Sequence, residues 1–194
     1  MTKLFVLCNN PKIKDVFKNN FVDIIKKRGK KILEIDLSKN KGKKANLGSM
    51  VSELELLFDY IILYSTCTEQ IAKICDLIVV LQNELLVGLS SVLNKNHVVL
   101  LFVDNTVYKN LKDLNSKIID IGFSPKNTVN ITHLDYENDS KVTFNLFFQR
   151  AIEDVQGNFI VEKEVKENCP QILEDELLYV YPLITTLKVL FLLI

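Results

Sequence analysis

Five short runs, each almost wholly apolar, constrain the fold of this chain more than any other feature of it. They are residues 3–8 (KLFVLC), 32–37 (ILEIDL), 59–65 (DYIILYS), 76–82 (DLIVVLQ) and 97–104 (HVVLLFVD). A strand that alternates apolar and polar residues buries one face. One that is apolar throughout is buried on both, the mark of a parallel sheet with helices on its two sides. The intervening chain supplies the crossovers. Ile13, Val16, Phe17, Phe21, Ile24 and Ile25 recur at three- and four-residue steps over 12–28, and Gly29 provides a stop. Shorter helices are expected over 51–58, 69–75 and 84–94, and 117–122 (KIIDIG) reads as a sixth strand. Residues 38–48, rich in Lys, Asn and Gly, read as a solvated loop.

After Pro125 the period changes. Val142, Phe144, Leu146 and Phe148 alternate with Thr143, Asn145, Phe147 and Gln149, the period-two pattern of an antiparallel strand. Flanked by 128–134 and 159–165 across the turn-rich stretches DYENDS and QGN, it predicts a three-stranded meander. The chain closes with the apolar segment 177–194. Pro182, Thr185, Thr186 and Lys188 interrupt it, so a helix packed on the domain or a partner is expected rather than a membrane anchor.

The expected fold class is therefore α/β: a mainly parallel, Rossmann-like or P-loop-like sheet with helices on both faces, plus a C-terminal antiparallel β-meander and closing helix. One domain over 1–194 is expected, with a parallel core over 1–122, the meander over 123–168 and the apolar helix over 169–194. Lys and Arg (24) balance Asp and Glu (24), which leaves no overall field for nucleic acid or an anionic membrane, and neither is expected as a partner. The four cysteines form no CxxC pair and, with His97 and His133, match no zinc spacing, so no metal is expected. The first apolar run is too short for a signal-peptide core, and a cytoplasmic setting is expected.

In an open parallel sheet, ligands bind beyond the carboxyl ends of the strands. Those ends carry Cys8, Asn9 and Asn10, then Asp36, then Thr66, Cys67 and Thr68, then Gln82 and Asn83, then Asp104 and Asn105. The set suits hydrogen bonding better than acid–base work. No GxGxxG follows the first strand. The phosphate-loop pattern GxxxxGK[ST] places Lys14 at its lysine, but Cys8 and Ile13 stand at its glycines, Asp15 at its hydroxyl residue, and Pro11 lacks a backbone donor. The cleft candidates are accordingly Cys8, Asn9, Asn10, Lys14, Thr66, Cys67, Thr68, Gln82, Asn83, Asp104 and Asn105. Cys8 and Cys67 could approach each other if their strands are neighbours, yet a reactive thiol needs an electropositive setting, and inert buried cysteine is the commoner case. Neither histidine is placed to activate a nucleophile, and no catalytic residue is assigned.

The order of segments resembles the central, ATP-binding domain of the Mur ligases, the amide-forming enzymes of peptidoglycan precursor synthesis. LFVLCNNPKIKDVF followed by DIIKKRGKKI is similar to that domain's first strand, phosphate loop, helix and second strand. FDYIILYSTC resembles the strand ending in its magnesium-binding glutamate, and HVVLLFVDNTVYKNL the strand ending in a paired acidic motif with the helix after it. SKIIDIGF, the meander and the closing helix follow in the same order. The resemblance implies an ATP and magnesium site, and the matched positions depart from it. Tyr64 stands at the metal-binding glutamate, Val87 and Gly88 lie near an expected Asp-His pair, and Asp104 is followed by Asn105 instead of a second acid. The resulting expectation is a noncatalytic, degenerate relative of that domain without a cofactor. Its role is interaction or structural, as a homodimer or with a protein partner, through the C-terminal helix or the Phe147 side of the meander. The alternative is a small-molecule or nucleotide-binding enzyme that uses the cleft at the strand ends.

Overall fold

Each apolar run forms a strand in the computed structural model, which describes residues 2–37, 47–54, 56–66, 74–88, 93, 97–103, 116–137, 141–154, 156–170 and 175–192. The strands are β1 (Thr2–Leu7), β2 (Ile32–Asp36), β3 (Tyr60–Ser65), β4 (Leu77–Val80), β5 (Val98–Phe102) and β6 (Lys117–Gly122). Their alternate side chains enter two separate cores. Leu4 and Val6 join Ile62, Tyr64 and Val79 on one face, while Phe5 and Leu7 join Ile61, Leu63, Ile78 and Val80 on the other. Burial on both faces is why the runs contain so few polar residues.

The first crossover runs without a break from α1 (Pro11–Phe17) through a π-helical turn (Lys18–Val22) into α2 (Asp23–Lys27). Asn10 caps its start by accepting the Lys12 amide at 2.9 Å, and Pro11 takes the first position, where no amide is needed. Gly29, at φ 76°, ends it. Ile13, Phe17, Phe21 and Ile25 pack on the first core. On the opposite face α3 (Leu47–Leu54) sets Val51 and Leu54 into the second core. It begins four residues before the expected 51 and ends at 54 instead of 58, because 56–59 are used in the turn into β3, where the Asp59 carboxylate takes the Lys31 amide at 2.7 Å; nothing in the structure explains the earlier start. Of the helix expected over 84–94, a short 3-10 helix (Asn83–Gly88) is described. Residues 67–73, most of the helix expected over 69–75, lie outside the described residues.

Nine strands make one sheet in the order β11-β8-β7-β6-β5-β4-β1-β3-β2, in which β7 (Val129–Glu137), β8 (Lys141–Phe148) and β11 (Lys163–Pro170) continue the parallel core. β7 is parallel to β6, and the two later strands are antiparallel. The alternation read in β8 holds: Val142, Phe144, Leu146 and Phe148 are all buried in the first core.

The meander differs from expectation in its third strand, which is 163–170 and not 159–165. Instead, β9 (Ile152–Glu153) and β10 (Phe159–Ile160) form a small separate ribbon. Its turn is fixed by Asp154, which accepts the amides of Gln156 and Asn158 at 2.8 and 2.9 Å. Glu162, at φ 48°, then turns the chain before β11 begins. Strand β11 was hard to read because it lies at the sheet edge, where only one of its faces is covered.

The closing helix α4 (Asp175–Leu190) lies on the first core against α1, the π turn and β5. Cys169 and Pro170 belong to β11, so the helix starts later than 169. Val180, Leu183, Ile184 and Leu187 are fully enclosed by the chain itself. The expectation that this helix offers a surface to a partner is thereby corrected: its apolar side chains complete the core that β8 and α1 leave open. No helix among the described residues is long and apolar enough to cross a membrane.

Candidate functional site

The direction in which the chain adds strands reverses between β1 and β4, and the loop after β1 starts from that strand-end region. Backbone pairing carries both strands into it: the Cys8 amide donates to the Ser65 carbonyl at 3.3 Å, and the Leu81 amide to the Leu7 carbonyl at 3.1 Å. From the β4 side the Gln82 side chain reaches across, and its Oε1 accepts the amides of Asn9 at 2.7 Å and Asn10 at 3.0 Å. With Asn10 Oδ1 taking the Lys12 amide, every backbone donor from Cys8 to Lys12 is engaged, Pro11 having none.

Beside this loop lies a cleft of about 340 Å³ lined by residues of the loop, Lys14, Asp15, Lys18 and Asp36. Lys14 and Lys18 are one helical turn apart and share a face. Both ammonium groups sit over the ring of Tyr64, at 4.6 and 5.3 Å from its centroid. Lys14 pairs with the carboxylate of Asp36. Glu34, two residues earlier on the same face of β2, takes Lys18 at 3.3 Å and Lys26 at 2.6 Å. It also accepts the Tyr64 hydroxyl at 3.2 Å. Burial pushes the Glu34 carboxyl up, but the Lys26 hydrogen bond and the charges of Lys18 and Lys26 outweigh it and hold it below the ordinary range.

Burial and the adjacent Glu34 carboxylate drive Tyr64 the other way, far above an ordinary phenol, so it is present as a neutral O–H donor. The Cys8 thiol donates to the Asn10 carbonyl at 3.2 Å. Burial pushes it up to about 11 against the weaker pull of that bond and of Lys14, and a thiol in that state is a poor nucleophile. The cleft therefore offers hydrogen bonds and compensated charge.

Of the residues expected at the strand ends, Cys8, Asn9, Asn10, Lys14 and Gln82 come together here. Asn83 lines a smaller neighbouring cavity with Gln82, Phe102 and Tyr179. Thr66 is exposed at the end of β3, while Cys67, Thr68, Asp104 and Asn105 lie outside the described residues. Sequence reasoning missed Lys18 and Glu34. The four-residue step from Lys14 to Lys18 and the two-residue step from Glu34 to Asp36 are the signals that could have found them.

No protein-family model matches the chain, and no curated protein matches it in sequence. Solved structures do match. A UDP-N-acetylmuramoylalanyl-D-glutamyl-2,6-diaminopimelate–D-alanyl-D-alanyl ligase from Acinetobacter baumannii aligns with 98% of this chain at a TM-score of 0.61 and 12% identity. The fold is Mur-ligase-like. MurF ligase from Thermotoga maritima, in complex with ADP, aligns with 96% at a TM-score of 0.53 and 7% identity. The chain spans 43% and 45% of the length of those two ligases. At such identities the Mur-ligase-like likeness establishes the α/β architecture, with its parallel sheet, C-terminal antiparallel strands and closing helix.

Proposed function

We propose that this chain is a noncatalytic, degenerate relative of the Mur ligase central domain, with an interaction or structural role. One observation carries the reading: the groups that a phosphate loop would present to a nucleotide are already bound within the chain. In such a loop, backbone amides cradle the phosphates and the lysine reaches the terminal ones. Here Gln82 holds the amides of Asn9 and Asn10, and Asp36 holds Lys14. A triphosphate would have to displace both and accept the carboxylate of Asp15 beside it. Magnesium fares no better, since the matched acidic position is Tyr64, whose neutral hydroxyl is spent on Glu34. The residues present do not fit Mg-ATP, and no phosphoryl transfer is assigned to them.

Isothermal calorimetry with Mg-ATP is expected to give no binding heat. Binding at micromolar strength that Lys14→Ala abolishes would overturn the reading. The 340 Å³ cleft at the carboxyl ends of β1 and β2, lined by the loop after β1, the first helix and Asp36, favours a second reading, an enzyme acting on a small molecule there. A ligand that raises the melting temperature of the wild type but not of Lys18→Ala would promote it.

A further inference from the structure

Strand β11 ends the nine-stranded sheet, and no described strand pairs with its outer edge. Exposed edges are templates for another strand, and proteins usually block them with scattered charge or proline. The charges of β11 are ordered. Its first five residues, Lys163, Glu164, Val165, Lys166 and Glu167, run positive, negative, neutral, positive, negative. Turned end for end about Val165, the pattern meets its own opposite. In an antiparallel pair of two such strands, Lys163 faces Glu167 and Glu164 faces Lys166, each pair occurring twice by symmetry, with Val165 against Val165 at the centre.

Neighbouring registers fail. A shift by one residue sets Glu164 against Glu167 or Lys163 against Lys166, and a shift by two sets Lys166 or Glu164 against itself. Opposite charges directly across strands stabilise, and like charges destabilise, so one register is selected. The other edge of the sheet lacks this property: β2 carries only the acids Glu34 and Asp36, both engaged by lysines of their own chain.

Both faces of β11 can take part. Val165 lies opposite Leu146 and Glu167 opposite Phe144, so the odd-numbered residues share the face of the closing helix. Glu164 and Lys166 occupy the outer face and are exposed. Glu164 accepts from Asn145 at 3.1 Å and Glu167 from Lys188 at 3.1 Å, and each carboxylate keeps further acceptor sites for a second cation. Glu162, at positive φ, and Pro170, without an amide, bound the pairing at its two ends.

We propose that β11 is a homodimer interface, where two copies of this chain pair antiparallel about Val165 and one sheet runs through both molecules. Such an interface is self-complementary and closes by two-fold symmetry. The pairing rests on the interaction role proposed above and gives that role its partner, a second copy.

Sedimentation equilibrium of the 194-residue chain tests it, with a reversible monomer–dimer equilibrium expected. Lys166→Glu brings like charges together at both symmetry-related positions and is expected to weaken dimerisation about tenfold or more. Glu164→Lys should do the same, and the double variant E164K/K166E should restore association towards the wild-type level. Circular dichroism melting confirms that each variant is folded. A monomer at every accessible concentration overturns the proposal, as does a dimer indifferent to both single changes. A Mg-ATP titration of the same samples separates the two readings: a dimer that binds nucleotide defeats the noncatalytic reading alone, and a monomer that binds none defeats the interface alone.

Discussion

Gln82 and Glu34 illustrate how single side chains set the chemistry of the strand-end crevice. Gln82 supplies one carbonyl to two amides, a use of its acceptor that a loop binding phosphate would leave to the ligand. Glu34 gathers Lys18, Lys26 and Tyr64, and its carboxyl is held below its ordinary value of 4.5 by the two lysines despite burial. A depressed carboxyl contributes stability that is fully present above the unfolded value and is lost as the pH falls through the folded one. Wild type is therefore expected to be more stable than Glu34→Gln above pH 4.5, with the difference shrinking as the pH drops below it. Urea unfolding midpoints across an acid series measure this, and a difference that grows towards low pH would contradict the assignment.

Among the elements, α1 with its π turn and α4 depend on each other. Phe17 and Phe21, four residues apart on one helix face, meet with ring centroids 5.3 Å apart, and Phe21 meets Phe191 edge-on at 5.3 Å. One helical turn before Phe191, Leu187 is buried, with no exposure at all. Leu187→Ala should cost about 2–5 kcal/mol in urea unfolding, because the cavity is walled by the sheet and cannot close. Leu56→Ala, at a side chain 94% exposed, should stay within about 0.5 kcal/mol. Equal costs at the two positions would mean that α4 is not docked as described. The ion pair of Lys188 with Glu167, at 3.1 Å, links the same helix to β11 and so ties the sheet edge to the core.

For the molecule as a whole, α4 is the cover of one sheet face from β5 towards the antiparallel strands. A chain ending at 174 would take Val180, Leu183, Ile184 and Leu187 out of the core they share with Leu100, Ile121 and Phe144. Such a chain is expected to keep secondary structure but to lose its near-ultraviolet circular dichroism signal and bind hydrophobic dyes. Cooperative melting of the truncated chain would show that the sheet is closed by something other than this helix.

The parallel core was legible because full burial on both faces leaves an unmistakable composition: KLFVLC and DLIVVLQ have almost no polar residue to misplace. Strand β8 was legible for the complementary reason, a strict two-residue period. Strand β11 was not, since an edge strand buries little and KEVKENCP carries its charges as a surface segment would. Cys8, Asn10 and Lys14 could be placed at the crevice by counting from β1. Their actual partners could not. Gln82 is 72 residues from Asn10 and Asp36 is 22 from Lys14, and only the strand order sets them side by side. Local periodicity reports burial, so the sequence marks the fully buried strands and the amphipathic helices but leaves the edge strand β11 unmarked. Tertiary structure alone decided which donors and charges cancel one another at the site, because that depends on contacts between segments distant in the chain.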